Sequence, residues 1–287
     1  MTAASFDVAA PPSKDPRQPG RSKHMAAGAA SSYIRAMLTK LFGSRASKTA
    51  AVLPRVAEGT RVYAIGDIHG RLDLLNEIER RIADDAATAQ AARNAVIYLG
   101  DYVDRGSQSR AVIDRLIDQP LPGFERILLL GNHEDSMLQF LVDVQIGPAW
   151  LAYGGAATLL SYGVRPPVSD RDLVRAQEEL RAKLPERHLA FLRGLKLRHV
   201  EGDYYFVHAG IRPGIPLDDQ RPSDLLWIRD EFLHSRRDFG KVIVHGHTIT
   251  ETPEIKRNRI GIDTGAFASG TLTCLVLQGE SWSFLQT

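Results

Sequence analysis

Asp101, Asp104 and Arg105 fall within the short stretch Gly100-Asp-Tyr-Val-Asp-Arg-Gly106, directly behind the apolar run 95–99. Two carboxylates and a guanidinium at the end of a buried strand are costly to a fold, because an unpaired charge belongs in water. They suit a site that must hold cations and an anion together. The arrangement recurs along the chain. The run 61–65 empties into Gly66-Asp67-Ile68-His69-Gly70, and 126–130 into Gly131-Asn132-His133-Glu134. Further on, 203–207 leads to His208-Ala209-Gly210, and 241–244 to His245-Gly246-His247-Thr248.

Carboxylate, amide and imidazole donors without thiolates fit borderline divalent ions such as Mn²⁺, Fe²⁺ or Zn²⁺. One carboxylate can bridge two ions about 3.5–4 Å apart, and such a pair clamps both sides of an in-line phosphoryl displacement. Any single cluster is weak, since Asp and Gly are common turn residues. Five of them in order, each behind a strand, exceed what turn chemistry produces. No Cys-x5-Arg and no Asp-x-Asp nucleophile motif accompanies them, which favours direct attack by water over a covalent phosphoenzyme.

The elements that must position these loops follow from periodicity. Strands at 61–65, 95–99 and 126–130 alternate with loops 100–107 and 131–134 and with helices at 71–83, 108–117 and 135–144. This alternation predicts a parallel α/β sheet, whose strand carboxyl ends are where ligands bind. Residues 145–200 read as mainly helical, broken at Gly154-Gly155 and Pro166-Pro167, and form a candidate insert over the sheet. Beyond 200 the pattern turns to strands at 203–207, 241–244, 258–262, 271–277 and 281–285. Residues 1–31 have too few large apolar side chains for a core and are expected to be disordered. Residues 33–42 place Tyr33, Ile34, Met37, Leu38, Leu41 and Phe42 on one helical stripe. That stripe is expected to pack on the folded body, with membrane-surface association as the lesser alternative. The domain reading is 1–31 disordered, 32–58 helix and linker, and 59–287 catalytic.

Composition narrows the function classes. The 287 residues are 44% apolar and 24% charged, as in a soluble globular chain. Net charge is +2, but residues 1–58 hold nine Lys/Arg against three Asp/Glu, hence +6, which leaves −4 for the rest. A mildly acidic body argues against a nucleic-acid partner held by phosphate contacts. Cys274 is the only cysteine and sits in the apolar run 271–277. A buried inert thiol, no intrachain disulfide and a reducing, cytoplasmic location are expected. No run of about 18 uncharged apolar residues suggests a membrane span, and no signal peptide is read.

GDIHG, GDYVDRG, GNHE, HAG and HGHT, in this order over about residues 60–277, resemble the metal-dependent phosphoprotein phosphatases of the PPP type. These lie within the calcineurin-like metallophosphoesterases, and the resemblance is to the bacterial serine/threonine phosphatase-like branch. It implies an α/β fold: a β-sandwich of two mixed sheets flanked by helices, with a helical insert. The strands beyond residue 200 would then supply the second sheet. It also implies two divalent metal ions, Mn²⁺ first, with Fe or Zn as alternatives. Asp67 and His69 would bind one ion, Asp101 both, and Asn132, His208 and His247 the other. His133 would be the general acid, oriented by Asp104. Arg105 would grip the phosphate, with Arg229 of Leu225-Leu-Trp-Ile-Arg229 as the second arginine. His245 is read as a support behind the ligands, because a metal site also needs groups that orient them.

The implied reaction is hydrolysis of phosphoserine or phosphothreonine in a phosphoprotein or phosphopeptide, with phosphotyrosine open. The alternative is a diadenosine-tetraphosphate or other nucleotide hydrolase. Glu134 and the Leu-Leu-Trp-Ile-Arg segment lean toward the protein side. The segment Trp150–Gly163 resembles the insert of bacterial members, so regulatory partners of the eukaryotic enzymes are not carried over.

Overall fold

The computed structural model describes residues 53–287, so the readings for 1–31 and 33–42 lie outside the described residues. Strand β1 (Thr60–Ile65), helix α1 (Leu72–Thr88), β2 (Arg93–Tyr98), α2 (Ser109–Asp118), β3 (Phe124–Leu128) and α3 (Asn132–Val142) follow the predicted alternation. β1 and the end of β2 are buried on both faces, which is why they read as near-continuous apolar runs. α1 buries Leu74, Leu75, Ile78 and Ile82, one stripe at helical spacing.

The insert contains α4 (Gly147–Trp150), a π turn at Leu151–Gly155, α5 (Ala156–Ser161), α6 (Asp170–Lys183) and α7 (Glu186–Arg193). It ends in a strand, β4 (Arg198–Glu201), which the sequence reading had folded into the helical segment. β4 is polar and stands at a sheet edge, so only its pairing with the next strand, β5 (Tyr204–Val207), defines it. After the short α8 (Pro222–Trp227) and α9 (Asp230–Leu233) come β6 (Val242–His245), β7 (Glu254–Ile255), β8 (Arg259–Gly261), α10 (Ala266–Ser269), β9 (Thr273–Gln278) and β10 (Ser281–Gln286).

Two five-stranded sheets result, ordered β10-β9-β1-β2-β3 and β4-β5-β6-β8-β7. Both are mixed. β1, β2 and β3 are parallel as the alternation predicts, while β9 runs antiparallel on the far edge of β1, with Ile65 opposite Cys274. Alternate side chains along each strand divide between two cores. Val62, Ala64, Ala95, Ile97 and Leu99 meet Phe206, Val244, Ile260 and Ile262 between the sheets. Tyr63, Ile65, Val96 and Tyr98 face the helices on the other side. The fold is therefore the sandwich of two mixed sheets flanked by helices, and the sheet is not parallel throughout. Cys274 is buried, as expected. Among the described residues, no helix is long and apolar enough to cross a membrane.

α3 begins three residues earlier than the sequence reading placed it. Asn132 and His133 lie in its first turn and not in the preceding loop. The Glu134 carboxylate reaches back to accept the Gly131 N–H at 3.0 Å, which closes that turn.

Candidate active site

The loops behind β1, β2 and β3 meet those behind β5 and β6, one set from each sheet. Among the described residues, the non-glycine residues with left-handed φ are His69 (47°), Asp101 (52°), Asp104 (70°), Arg105 (66°) and His247 (63°). Every one belongs to the predicted site. Such backbone costs on the order of 1–3 kcal/mol per residue, although Asp and His tolerate it better than most.

Glu134 offsets part of that cost. Its buried Oε1 accepts the N–H groups of Tyr102 (2.7 Å) and Val103 (3.1 Å), and Oε2 those of Asp101 (2.9 Å) and Gly131 (3.0 Å). Burial and the neighbouring Asp101 charge push its pKa upward, to about 8. Each oxygen is nevertheless already approached by two donors, so a proton on either would point at one of them. The geometry is that of the carboxylate.

Asp101 lies at the centre. Its Oδ2 is 3.5 Å from His69 Nε2 and 3.8 Å from His133 Nε2, and its Oδ1 is 3.4 Å from His208 Nε2. Two buried donor sets, His69–Asp101–His133 and Asp101–His208–His247, share this residue. Backbone carbonyls fix the imidazole tautomers: His69 Nδ1–H donates to Val103 O (2.8 Å) and His208 Nδ1–H to Leu99 O (2.9 Å). Their Nε2 lone pairs therefore turn inward. His208 Nε2 lies 2.8 Å from Asn132 Oδ1 and 3.2 Å from His247 Nδ1, and the latter is 2.9 Å from the same Asn132 oxygen. With the His247 proton on its partnerless Nε2, three lone pairs converge, a set that repels itself without a cation and fits a divalent ion. Burial lowers the pKa of His69 to about 3 and of His247 to about 2, and lowers that of His208, so these imidazoles stand as neutral donors.

Among the predicted carboxylate and imidazole ligands, Asp67 alone stands in neither set, and His133 stands in the first set in its place. The Asp67 carboxylate accepts the His247 N–H at 3.1 Å, joining a loop of one sheet to a loop of the other. Gly246 makes that approach possible, since a Cβ there would stand 2.0 Å from Asp67 Oδ1. Burial, Asp263 and Asp101 together raise the Asp67 pKa well above its usual range.

His133 Nδ1–H donates to Asp104 Oδ2 at 2.7 Å, and its Nε2 lies 3.4 Å from Arg105 Nη2. Burial lowers the His133 pKa, but Asp101 and Asp104 outweigh it and the net shift is upward. The Arg105 guanidinium sits over the Phe267 ring at 4.6 Å, and Phe267 meets His69 edge-on. Arg229 is exposed and reaches the same edge, with Nη1 3.2 Å from Thr248 Oγ1 and 3.4 Å from His247 O. His245 is buried outside both donor sets, against Phe232, with Nδ1–H on Gly246 O and Nε2 without a partner. Tyr153 and Trp227 are exposed on the rim with ring centroids 6.3 Å apart, and Trp227 meets His247 edge-on.

Three site residues escaped the sequence reading. Asp263, beside Asp67, follows strand 258–262 in Asp263-Thr264-Gly265, the strand-to-acidic-loop pattern used for the other clusters. Trp150 and Thr158 bond to Asp104 from 46 and 54 residues away, and no local pattern announces them.

The sequence profile of calcineurin-like phosphoesterases matches residues 60–266. A bis(5'-nucleosyl)-tetraphosphatase of Geobacillus thermodenitrificans is 28% identical, covering 74% of this chain and 88% of its own length. Serine/threonine-protein phosphatase 2 of Salmonella typhimurium is 27% identical, covering 74% of this chain and 90% of its own. The solved structure of a cold-active protein tyrosine phosphatase matches 85% of this chain and 88% of its own with a TM-score of 0.52 at 18% identity, a likeness of fold. With every predicted ligand inside the matched stretch and the two mixed sheets present, the chain belongs to the calcineurin-like phosphoesterase family.

Proposed function

We propose that the protein is a two-metal phosphomonoesterase acting on phosphoserine and phosphothreonine in proteins. The observation that carries this is His133, a buried imidazole bonded to Asp104 at 2.7 Å and next to Arg105. A serine or threonine oxygen leaves as a strongly basic alkoxide and needs a proton. A phosphoanhydride leaves as a weakly basic phosphate and needs none. An oriented acid therefore supports a monoester substrate with a poor leaving group.

Asp67, His69 and Asp101 would hold one ion, and Asp101, Asn132, His208 and His247 the other, Mn²⁺ being the first choice. Bound there, two such ions supply Lewis-acid charge and lower the pKa of a coordinated water from 15.7 to about 7. Arg105 and Arg229 bind the non-bridging phosphoryl oxygens and orient the ester. Asp104 holds the His133 Nδ1–H, and the imidazolium passes its Nε2 proton to the leaving oxygen. The resulting neutral imidazole is reprotonated from water.

A second reading, hydrolysis of a dinucleoside tetraphosphate, is favoured by the exposed Tyr153–Trp227 pair, on which a base can stack, and by the tetraphosphatase relatives. Side-by-side kcat/KM for phosphoserine and phosphothreonine peptides and for diadenosine tetraphosphate, with added Mn²⁺, separates the two. A peptide preference of tenfold or more is expected, and the reverse ratio overturns the protein-substrate reading.

A further inference from the structure

We propose that Trp150 and Thr158, both on the helical insert, are positioning residues for His133, acting through the Asp104 carboxylate. The inference rests on the reading of His133 as proton donor. Asp104 is wholly buried and is bonded on both oxygens. Oδ2 accepts His133 Nδ1–H at 2.7 Å and Trp150 Nε1–H at 2.8 Å, and Oδ1 accepts the Thr158 hydroxyl at 2.6 Å. Thr158 Oγ1 also accepts the Asp104 N–H at 2.9 Å, so one hydroxyl holds both ends of the residue.

With His133 as its only partner, the carboxylate would be free to turn about its side-chain bonds, and the imidazole would turn with it. Three donors leave a single orientation. The two insert donors also stabilise the ionised carboxylate, which makes it a poorer base toward the imidazole proton. Nδ1–H therefore stays on His133 facing Asp104, and the proton the leaving oxygen takes is the one on Nε2.

Bulk packing does not require this arrangement. The Trp150 ring is already fixed between Phe140, at a centroid distance of 5.0 Å, and Gly155, where a Cβ would come within 2.5 Å of it. Its N–H is aimed in addition. The same segment bonds the next residue as well, since Arg105 N–H donates to Gly154 O at 3.2 Å across the π turn, a distortion frequent at functional sites. The insert thus holds both the partner of the acid and the backbone of the arginine beside it.

The test is a leaving-group series on Trp150→Phe, Thr158→Val, Thr158→Ser and His133→Asn, with melting temperature and bound Mn²⁺ recorded for each. Trp150→Phe and Thr158→Val are expected to keep p-nitrophenyl phosphate kcat within about threefold. They are expected to lose roughly tenfold in kcat on phenyl phosphate and phosphoserine peptide with KM little changed, and Thr158→Ser to restore the loss. A readout independent of metal is the Trp150 indole ¹H–¹⁵N signal of EDTA-treated protein, expected downfield and displaced upfield in Asp104→Asn. If His133→Asn shows the leaving-group bias while both insert variants lose equally on all substrates or nothing at all, the inference is overturned and the His133 reading stands. An unbiased His133→Asn overturns both. An indole signal unmoved by Asp104→Asn overturns the Trp150 contact even where Trp150→Phe fails to fold.

Discussion

A single side chain that need not touch substrate, Glu134, holds four backbone N–H groups and with them the left-handed turn at Asp101. Glu134→Gln replaces one oxygen by an amide group that faces two N–H donors. Losing two buried bonds costs about 2–4 kcal/mol. A lower melting temperature and reduced Mn²⁺ by elemental analysis are expected together, and an unchanged melt would show that the loop holds itself. Asp101→Asn removes the charge shared by both donor sets, so metal content and kcat should fall together. Retention of two ions with normal kcat would contradict the bridging role. His245 gives a pH effect away from the donor sets. Burial lowers its pKa from 6.5 to about 4, so the unfolded chain binds this proton first as pH falls. Its contribution to stability is whole above about pH 6.5 and lost between there and pH 4, on the order of 3 kcal/mol. Denaturation of His245→Gln across that window should show a flatter acid limb. At this scale the residues that converge at the site were legible because residue type and spacing carry the chemistry. The insert partners of Asp104 were not, because a hydrogen bond from 54 residues away leaves no periodic trace.

At the scale of elements, β1 and the end of β2 were readable because both their faces are buried and their residues are correspondingly apolar. β4 was not, since Arg198-His-Val-Glu201 has no strand signature apart from its partner. The early start of α3 did carry a local signal, an acidic residue three positions after Gly131, hidden by the turn-like look of Gly-Asn. The insert's contribution is backbone geometry as much as side chains. Gly154 has φ 110°, and a Cβ there would come 2.8 Å from Arg105 Cγ and 2.9 Å from Arg105 N. Gly154→Ala should therefore push Arg105 from its place over Phe267. The expected outcome is a several-fold rise in KM for p-nitrophenyl phosphate and a stability loss of about 1–3 kcal/mol. Crystallography of the variant would show whether the guanidinium has moved, and unchanged KM would detach the π turn from phosphate binding.

For the whole molecule, the site is a seam between two sheets. Asp67, Asp101 and Asn132 stand behind strands of the first sheet, and His208 and His247 behind strands of the second. Periodicity alone gave strands on both sides but the pairing of only the parallel half, because β9 pairs with β1 across some 200 residues and the second sheet has no strand–helix alternation of its own. Cations bound at the seam tie the sheets together and draw on the folded state alone, so they must stabilise it by linkage. One ion at a hundred times its Kd contributes about 2.7 kcal/mol, which for a fold of this size raises the melting temperature by roughly 5–10 °C. The carboxylates add a second signature. Burial and the charges of Asp263 and Asp101 raise the pKa of Asp67 well above the usual range, and burial and the Asp101 charge raise that of Asp263 to about 6. A divalent ion beside them reverses that balance and expels whatever protons they carry. Titrating Mn²⁺ into EDTA-stripped protein near pH 6, in buffers of different ionisation enthalpy, should show proton release, with affinity rising as pH rises. Asp263→Asn should reduce the protons released. A melting temperature indifferent to Mn²⁺, or binding without proton release, would mean that the seam closes by packing alone.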